Sequence, residues 1–152
     1  MAIWQFDFYI IPKKDMSENL FLDTDAILNW EMKGTSIEKI DFLEKQKSWS
    51  NKISQYGNCD ETCIEFGYEE DILMTIFCRL DLRSLSKKML EDIFDYVRGI
   101  DGMVFHEGKI YYPDIGAMIE LIRKSEANRF CQNPMKYIEE ISQNNRENVR
   151  EI

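Results

Sequence analysis

Residues 62–83 read TCIEFGYEEDILMTIFCRLDLR. Two apolar, β-prone arms flank the acidic triplet Glu69, Glu70 and Asp71, the pattern of a β-hairpin with a charged tip. With the triplet in the turn, Tyr68 pairs with Ile72, Phe66 with Met74 and Ile64 with Ile76. Directly opposed residues share a face, so this register gathers the large apolar groups on one side. Cys78, Leu80 and Leu82 continue that side, while Glu65, Thr75, Arg79, Asp81 and Arg83 fall on the other. A register one residue along mixes the two faces, which favours the first.

Downstream of the hairpin, Ser84 or Ser86 caps a helix running to about Arg98. Leu85, Met89, Ile93 and Val97 recur at helical spacing, with Leu90 and Phe94 widening the stripe. Gly99 and Gly102 end it. The run MVFHEGKIYY at 103–112 reads as a second hairpin around Glu107 and Gly108, placing Met103 and Phe105 on one face with Ile110 and Tyr112. Asp114 then caps a helix to about Phe130 with Ile115, Met118, Ile119 and Ile122 inward. Asn133 and Pro134 start another, with Met135, Ile138 and Ile141 as its apolar side.

Upstream, residues 4–11 alternate, with Trp4, Phe6, Phe8 and Ile10 on one face and Gln5, Asp7 and Tyr9 on the other, a half-buried strand closed by Pro12. Between them, a short helix is expected from Asp23 or Thr24 with Ile27, Leu28 and Trp30 as apolar contacts. A break at Gly34, Thr35 and Ser36 precedes helix from Ile37 toward Gly57, although the spacing from Leu43 to Trp49 does not fit one stripe. Strand, helical region, hairpin, helix, hairpin and helices make an α+β two-layer sandwich. The expectation is a mainly antiparallel sheet of about five strands with helices on one face. The 152 residues read as a single domain, with about 143–152 as a frayed tail.

Acidic residues outnumber basic ones 28 to 19, a net charge of −9. That balance opposes binding to nucleic acid and to anionic membranes, and favours encounter with a basic partner. The first twelve residues lack a basic segment, an uninterrupted apolar run and a small-residue cleavage site, so a cytoplasmic address is expected. There Cys59, Cys63, Cys78 and Cys131 are reduced thiols. No second cysteine pair matches Cys59 and Cys63, which favours structural thiols over a zinc site.

His106, the sole histidine, sits beside the second turn with no orienting carboxylate behind it. Asp7, Glu65 and Asp81 share the polar sheet face, where cross-strand pairing with Arg79 and Arg83 is the ordinary outcome. No phosphate-cradling glycine motif or nucleophile elbow is present. No catalytic residue, metal ligand or cofactor is assigned.

Trp49, Gly57, the RLDLR run at 79–83 and the amphipathic helix after it form a set with two later blocks. These are residues 109–113 and the SEANRF segment leading to Asn133 and Pro134. Over about 49–141 this set resembles small bacterial immunity proteins of polymorphic toxin and contact-dependent inhibition systems. The resemblance implies a cytoplasmic, non-catalytic binder, a monomer or homodimer, that neutralises a cognate toxin. A basic toxin would be met by an acidic surface. The residues expected to carry that contact are Glu69, Glu70 and Asp71, then Glu65, Asp81 and an exposed Tyr68. The other class compatible with the sequence is a small carboxylate-dependent hydrolytic or metabolic enzyme working on an open sheet face.

Overall fold

The computed structural model describes residues 2–13 and 27–132. The helix start expected at Asp23 or Thr24, the Asn133 and Pro134 restart and the tail lie outside the described residues. The strands are β1 (Gln5–Pro12), β2 (Met32–Lys33), β3 (Lys45–Gln46), β4 (Ile53–Tyr56), β5 (Cys63–Glu69), β6 (Ile72–Asp81), β7 (Gly102–His106) and β8 (Lys109–Tyr111). The helices are α1 (Lys87–Gly99), α2 (Ile115–Arg123) and α3 (Glu126–Gln132). These eight strands join one antiparallel sheet, seven of them in the order β3-β4-β5-β6-β1-β7-β8 and β2 beside β6. Because β5 occupies one edge of β6 along its length, β2 shares the other edge with β1, pairing Met32 with Leu73 and Lys33 with Ile72.

The chain is therefore α+β as expected, but among the described residues the sheet has eight strands rather than about five. The three extra ones, β2, β3 and β4, come from the region read as helix. β4 hydrogen-bonds along β5 with Gln55 opposite Glu65 and Tyr56 opposite Ile64. The free edge of β5 needs backbone partners, and that demand overrides the weak helical periodicity of the segment. Ile40 and Leu43 still pack against the core, from irregular backbone. Trp49, whose spacing from Leu43 does not fit the expected helical stripe, is 78% exposed. Trp30 is buried as expected, beside the strand edge: its backbone N–H bonds Met74 O at 3.0 Å and its indole N–H bonds Ile10 O at 2.9 Å.

The first hairpin also departs from the simple register. Its turn has two residues, Glu70 and Asp71, both with positive φ (48° and 66°), so Glu69 faces Ile72 and Tyr68 faces Leu73. The register shifts between Gly67 and Tyr68, after which Phe66 faces Ile76 and Ile64 faces Cys78. Met74 is the additional residue of this β-bulge, and the bulge turns Leu73 rather than Met74 into the core. The expected pairing is therefore off by one residue at the tip, where the turn takes two residues rather than three, and by two below the bulge, because strict alternation cannot anticipate an inserted residue. Below the bulge the two faces are as expected, with Cys63 and Cys78 on opposite sides.

One face of the sheet carries Phe6, Phe8, Ile10, Ile64, Phe66, Ile76, Leu80 and Val104 against Leu90, Ile93, Phe94 and Val97 of α1 and Met118 and Ile122 of α2. Ser86 caps α1 by accepting from Met89 N at 3.0 Å, and Asp114 caps α2 by accepting from Ala117 N at 2.9 Å. The helix expected to run on to Phe130 breaks instead at Ser125. Its hydroxyl donates to Ile122 O and accepts from Asn128 N, closing α2 and opening α3. The second hairpin has the expected register, with Glu107 and Gly108 alone in the turn.

The other face is divided. Tyr9, Ile11, Phe77, Met103 and Phe105 make its apolar end, and Gln5, Asp7, Cys63, Glu65, Arg79 and Asp81 its polar end. Tyr9 and Phe77, directly opposed, hold their rings 4.8 Å apart, and the Arg79 guanidinium lies 4.9 Å above the Phe77 ring.

Candidate functional site

The six residues expected to meet a partner divide into two groups. Glu69, Glu70 and Asp71 are exposed side by side at the tip of the first hairpin. The other three are occupied within the fold. Glu65 is 9% exposed and accepts from Arg79; Asp81 is 2% exposed and makes a two-pronged pair with Arg83, whose Nε and Nη2 both lie 2.9 Å from its oxygens. Burial opposes ionisation of Asp81, but the hydrogen bonds and charge of Arg83 outweigh it and hold its pKa below the usual value. Tyr68, expected to be exposed, is half-buried, with its hydroxyl donating to Glu38 at 2.7 Å.

That contact belongs to a cleft the sequence reading missed. It lies at the tip end of the sheet, has a volume of about 570 Å³, and is lined by Lys33, Gly34, Thr35, Glu38, Asn51, Ser54, Tyr68 and Asp71. The 3₁₀ turn Gly34–Ser36 directs the chain past Tyr68 so closely that a Cβ at position 34 would displace the Tyr68 ring or the turn. The following residues then bring Glu38 beneath the β4–β5 edge. Its second oxygen accepts from Tyr56 Oη at 2.9 Å and lies 3.6 Å from Lys45 Nζ. Burial disfavours the Glu38 charge, yet the hydrogen bonds from Tyr68, Ser54 and Tyr56 and the attraction of Lys45 win, leaving its pKa lowered. Burial and the Glu38 carboxylate push the Tyr56 phenol up to about 12 and raise Tyr68 as well. Glu38 is therefore a fixed negative charge in a partly dry cleft, continuous through Asp71 with the acidic tip. Its place in an expected helix hid it; the only signal in the sequence was an acidic residue just after a Gly-Thr-Ser break.

A second cluster lies at the opposite end of β5, on the other face of the sheet. Cys63 and Glu65, two apart on the strand, project to the same side, and Cys59 from the preceding loop closes over them. The three ligand-type atoms lie within 4.8 Å of one another. Cys59 Sγ is 3.9 Å and Cys63 Sγ 4.0 Å from Glu65 Oε1, and a cleft of about 390 Å³ opens onto Cys59, Glu65, Arg79 and Trp49. Burial first, then the neighbouring Cys59 and Glu65, push the Cys63 thiol up to about 12.

His106 is packed, with its ring stacked on Phe6 at 4.4 Å and Nδ1 2.7 Å from Asp7 O. The carboxylates expected on the polar face do not form a free group. Arg79 stands directly across from Asp7 and takes Glu65, and Arg83 takes Asp81. No helix among the described residues is long and apolar enough to cross a membrane. No protein-family model matches the chain, and neither a curated protein nor a solved structure does so.

Proposed function

We propose that this protein is a non-catalytic binding protein of the toxin-neutralising kind, which engages a basic protein through the acidic tip of its first hairpin and the Glu38 cleft beside it. The observation that carries the proposal is the chemistry of the turn. A two-residue hairpin turn with positive φ at both positions favours Asn-Gly, yet it holds Glu70 and Asp71. An ordinary side chain in left-handed backbone costs about 1–2 kcal/mol, so carboxylates are displayed here at some expense in stability. Among the described residues every non-glycine with positive φ is acidic: Glu31, Glu70, Asp71, Asp101 and Glu107. Only at the first tip do two adjoin, and there Glu69 and Asp71 extend the field toward Glu38.

The tip supplies long-range attraction, and the cleft has the chemistry for a cationic side chain. Glu38 and Asp71 are its negative charges against the Lys33 cation, Asn51 and Ser54 its neutral polar groups, and Tyr68 its aromatic wall. Steering by the tip raises the association rate, whereas insertion into the cleft slows dissociation. The test starts from co-purification of the full chain with its native partner. Association kinetics of the parent and of the E69Q/E70Q/D71N variant are then compared. Removal of three steering charges is expected to lower the association rate on the order of tenfold at low salt and to flatten its salt dependence. Equal rates and equal salt slopes for the two proteins, or the absence of any protein partner, would reject the proposal.

A further inference from the structure

We infer that Cys59, Cys63 and Glu65 form a binding site for a thiophilic divalent cation of the zinc type, separate from the acidic tip. Both sulfur-to-oxygen separations are already close to tetrahedral spacing, and the two sulfurs lie within reach of one ion. Zinc bonds of about 2.3 Å to sulfur and about 2.1 Å to oxygen require S···O separations of about 3.6 Å and S···S separations of about 3.8 Å. The observed S···O distances of 3.9 and 4.0 Å are within a few tenths of an ångström of that, with the sulfur atoms no more than 4.8 Å apart. Two sulfurs and one carboxylate select soft or borderline metals over magnesium and calcium.

Cys59 owes its position to a loop that is tied down from three side chains distant in sequence. Gln5 Nε2 donates to Cys59 O at 2.9 Å and to Glu61 O at 2.7 Å. Trp4 Nε1 and Arg83 Nη2 donate to Asp60 O at 3.0 and 3.2 Å. The loop leaves β4 at Gly57 (φ 82°), where an added Cβ would stand 2.2 Å from Thr62 O. Such a loop presents its thiol at little further entropic cost when the ion arrives. The neighbouring cleft gives an ion its way in and leaves space for water as a fourth ligand.

Charge and protons balance without another reactant. Binding exchanges the two S–H protons for the cation: M²⁺ plus two thiols gives the dithiolate complex and two H⁺, with no change of oxidation state. The S–H groups now directed at Glu65 Oε1 no longer occupy it once they ionise, which frees a lone pair for the metal beside the bond that Arg79 Nη1 donates to the same oxygen. Two thiolates and one carboxylate then face M²⁺ and the Arg79 guanidinium, three negative charges against three positive.

Cobalt(II) titration of the full chain, kept reduced with a phosphine, tests the site. A sulfur-to-cobalt charge-transfer band is expected to saturate at one equivalent, to vanish on addition of zinc, and to be accompanied by release of two protons. Cys59→Ser changes a solvent-accessible loop residue and leaves the fold intact by circular dichroism. Loss of a ligand costs more than the 10–100-fold typical of outer-shell partners, so this variant should lose at least about 100-fold in affinity. Glu65→Gln should weaken binding in the same direction, and Cys131→Ser should leave it unchanged. Absence of the band in the parent, full affinity in Cys59→Ser, or loss of binding in Cys131→Ser overturns the inference.

Discussion

Replacing Gly34 by alanine probes the contact that shapes the Glu38 cleft. The backbone at Gly34 does not have positive φ, so alanine is conformationally acceptable, but its Cβ would stand 2.2 Å from Tyr68 Oη and 2.7 and 2.8 Å from Cε1 and Cζ. Ordinary van der Waals contact begins at 3.4 Å, so the hydroxyl has to withdraw by about 1 Å or the 3₁₀ turn has to move. Either response stretches the 2.7 Å bond from Tyr68 to Glu38. A hydrogen bond to a charged group contributes about 1.5–3 kcal/mol, and overpacking costs about 1–3 kcal/mol. The two overlap, because yielding on one relieves the other. Alanine also lowers the entropy of the unfolded chain, returning about 0.4–1 kcal/mol. The net expectation is a loss of about 1–3 kcal/mol, read from urea midpoints at constant m. In a Tyr68→Ala background the obstructing ring is gone, and Gly34→Ala should become neutral or stabilise by up to about 1 kcal/mol. An equal cost in both backgrounds would show that Tyr68 is not what position 34 meets, and the account of the cleft would be wrong.

Replacing Glu70 and Asp71 by Asn-Gly should stabilise the protein by about 1–2 kcal/mol in thermal or urea unfolding while weakening partner binding; a loss of stability would refute the turn assignment. Glu38 and Asp81 both have folded pKa values below their ordinary 4.5 and 3.8, so the stability they contribute is complete above about pH 4.5 and disappears as the pH falls through their lowered values. Acid titration of stability should therefore be less steep in Glu38→Gln than in the parent. Tyr56 has the opposite sign: its contribution is complete below its ordinary pKa of 10.0 and is lost as the pH rises toward about 12. Phenolate absorbance of the parent minus that of Tyr56→Phe should show this late titration. Arg79→Met leaves the Glu65 carboxylate poorly compensated and should cost about 2–4 kcal/mol, less than a fully dry pair because Arg79 retains some solvent contact; adding Glu65→Leu should recover most of it by urea unfolding.

The strongest periodic signals needed no tertiary context. The alternation of Phe6, Phe8 and Ile10 marked β1, the stripe through Ile93, Phe94 and Val97 marked α1, and the Glu107 and Gly108 turn set the second hairpin. In each case the buried face is written into neighbouring residues at a fixed period, so local sequence carries the information. Alternation along 62–83 likewise separated the core face from the polar face over most of the hairpin. It could not reveal the bulge at Met74, because one inserted residue resets the phase without altering composition.

The edge strands and both clusters were decided only in three dimensions. β2 and β4 form because exposed edges of β6 and β5 need hydrogen-bond partners, and β3 in turn pairs with β4, a requirement invisible in residues 32–56 themselves. Glu38 acquires its role from Tyr68, thirty residues away, and Tyr56, eighteen away. Cys59 is held over Cys63 and Glu65 by Gln5 at the start of β1, Trp4 just before it and Arg83 just after β6. The sequence by itself determined which residues are apolar, where the period holds and how much negative charge the chain carries. The folded sheet decided which of those charges are neutralised by an arginine and which are left at a tip, because that depends on distances between strands rather than on order along the chain.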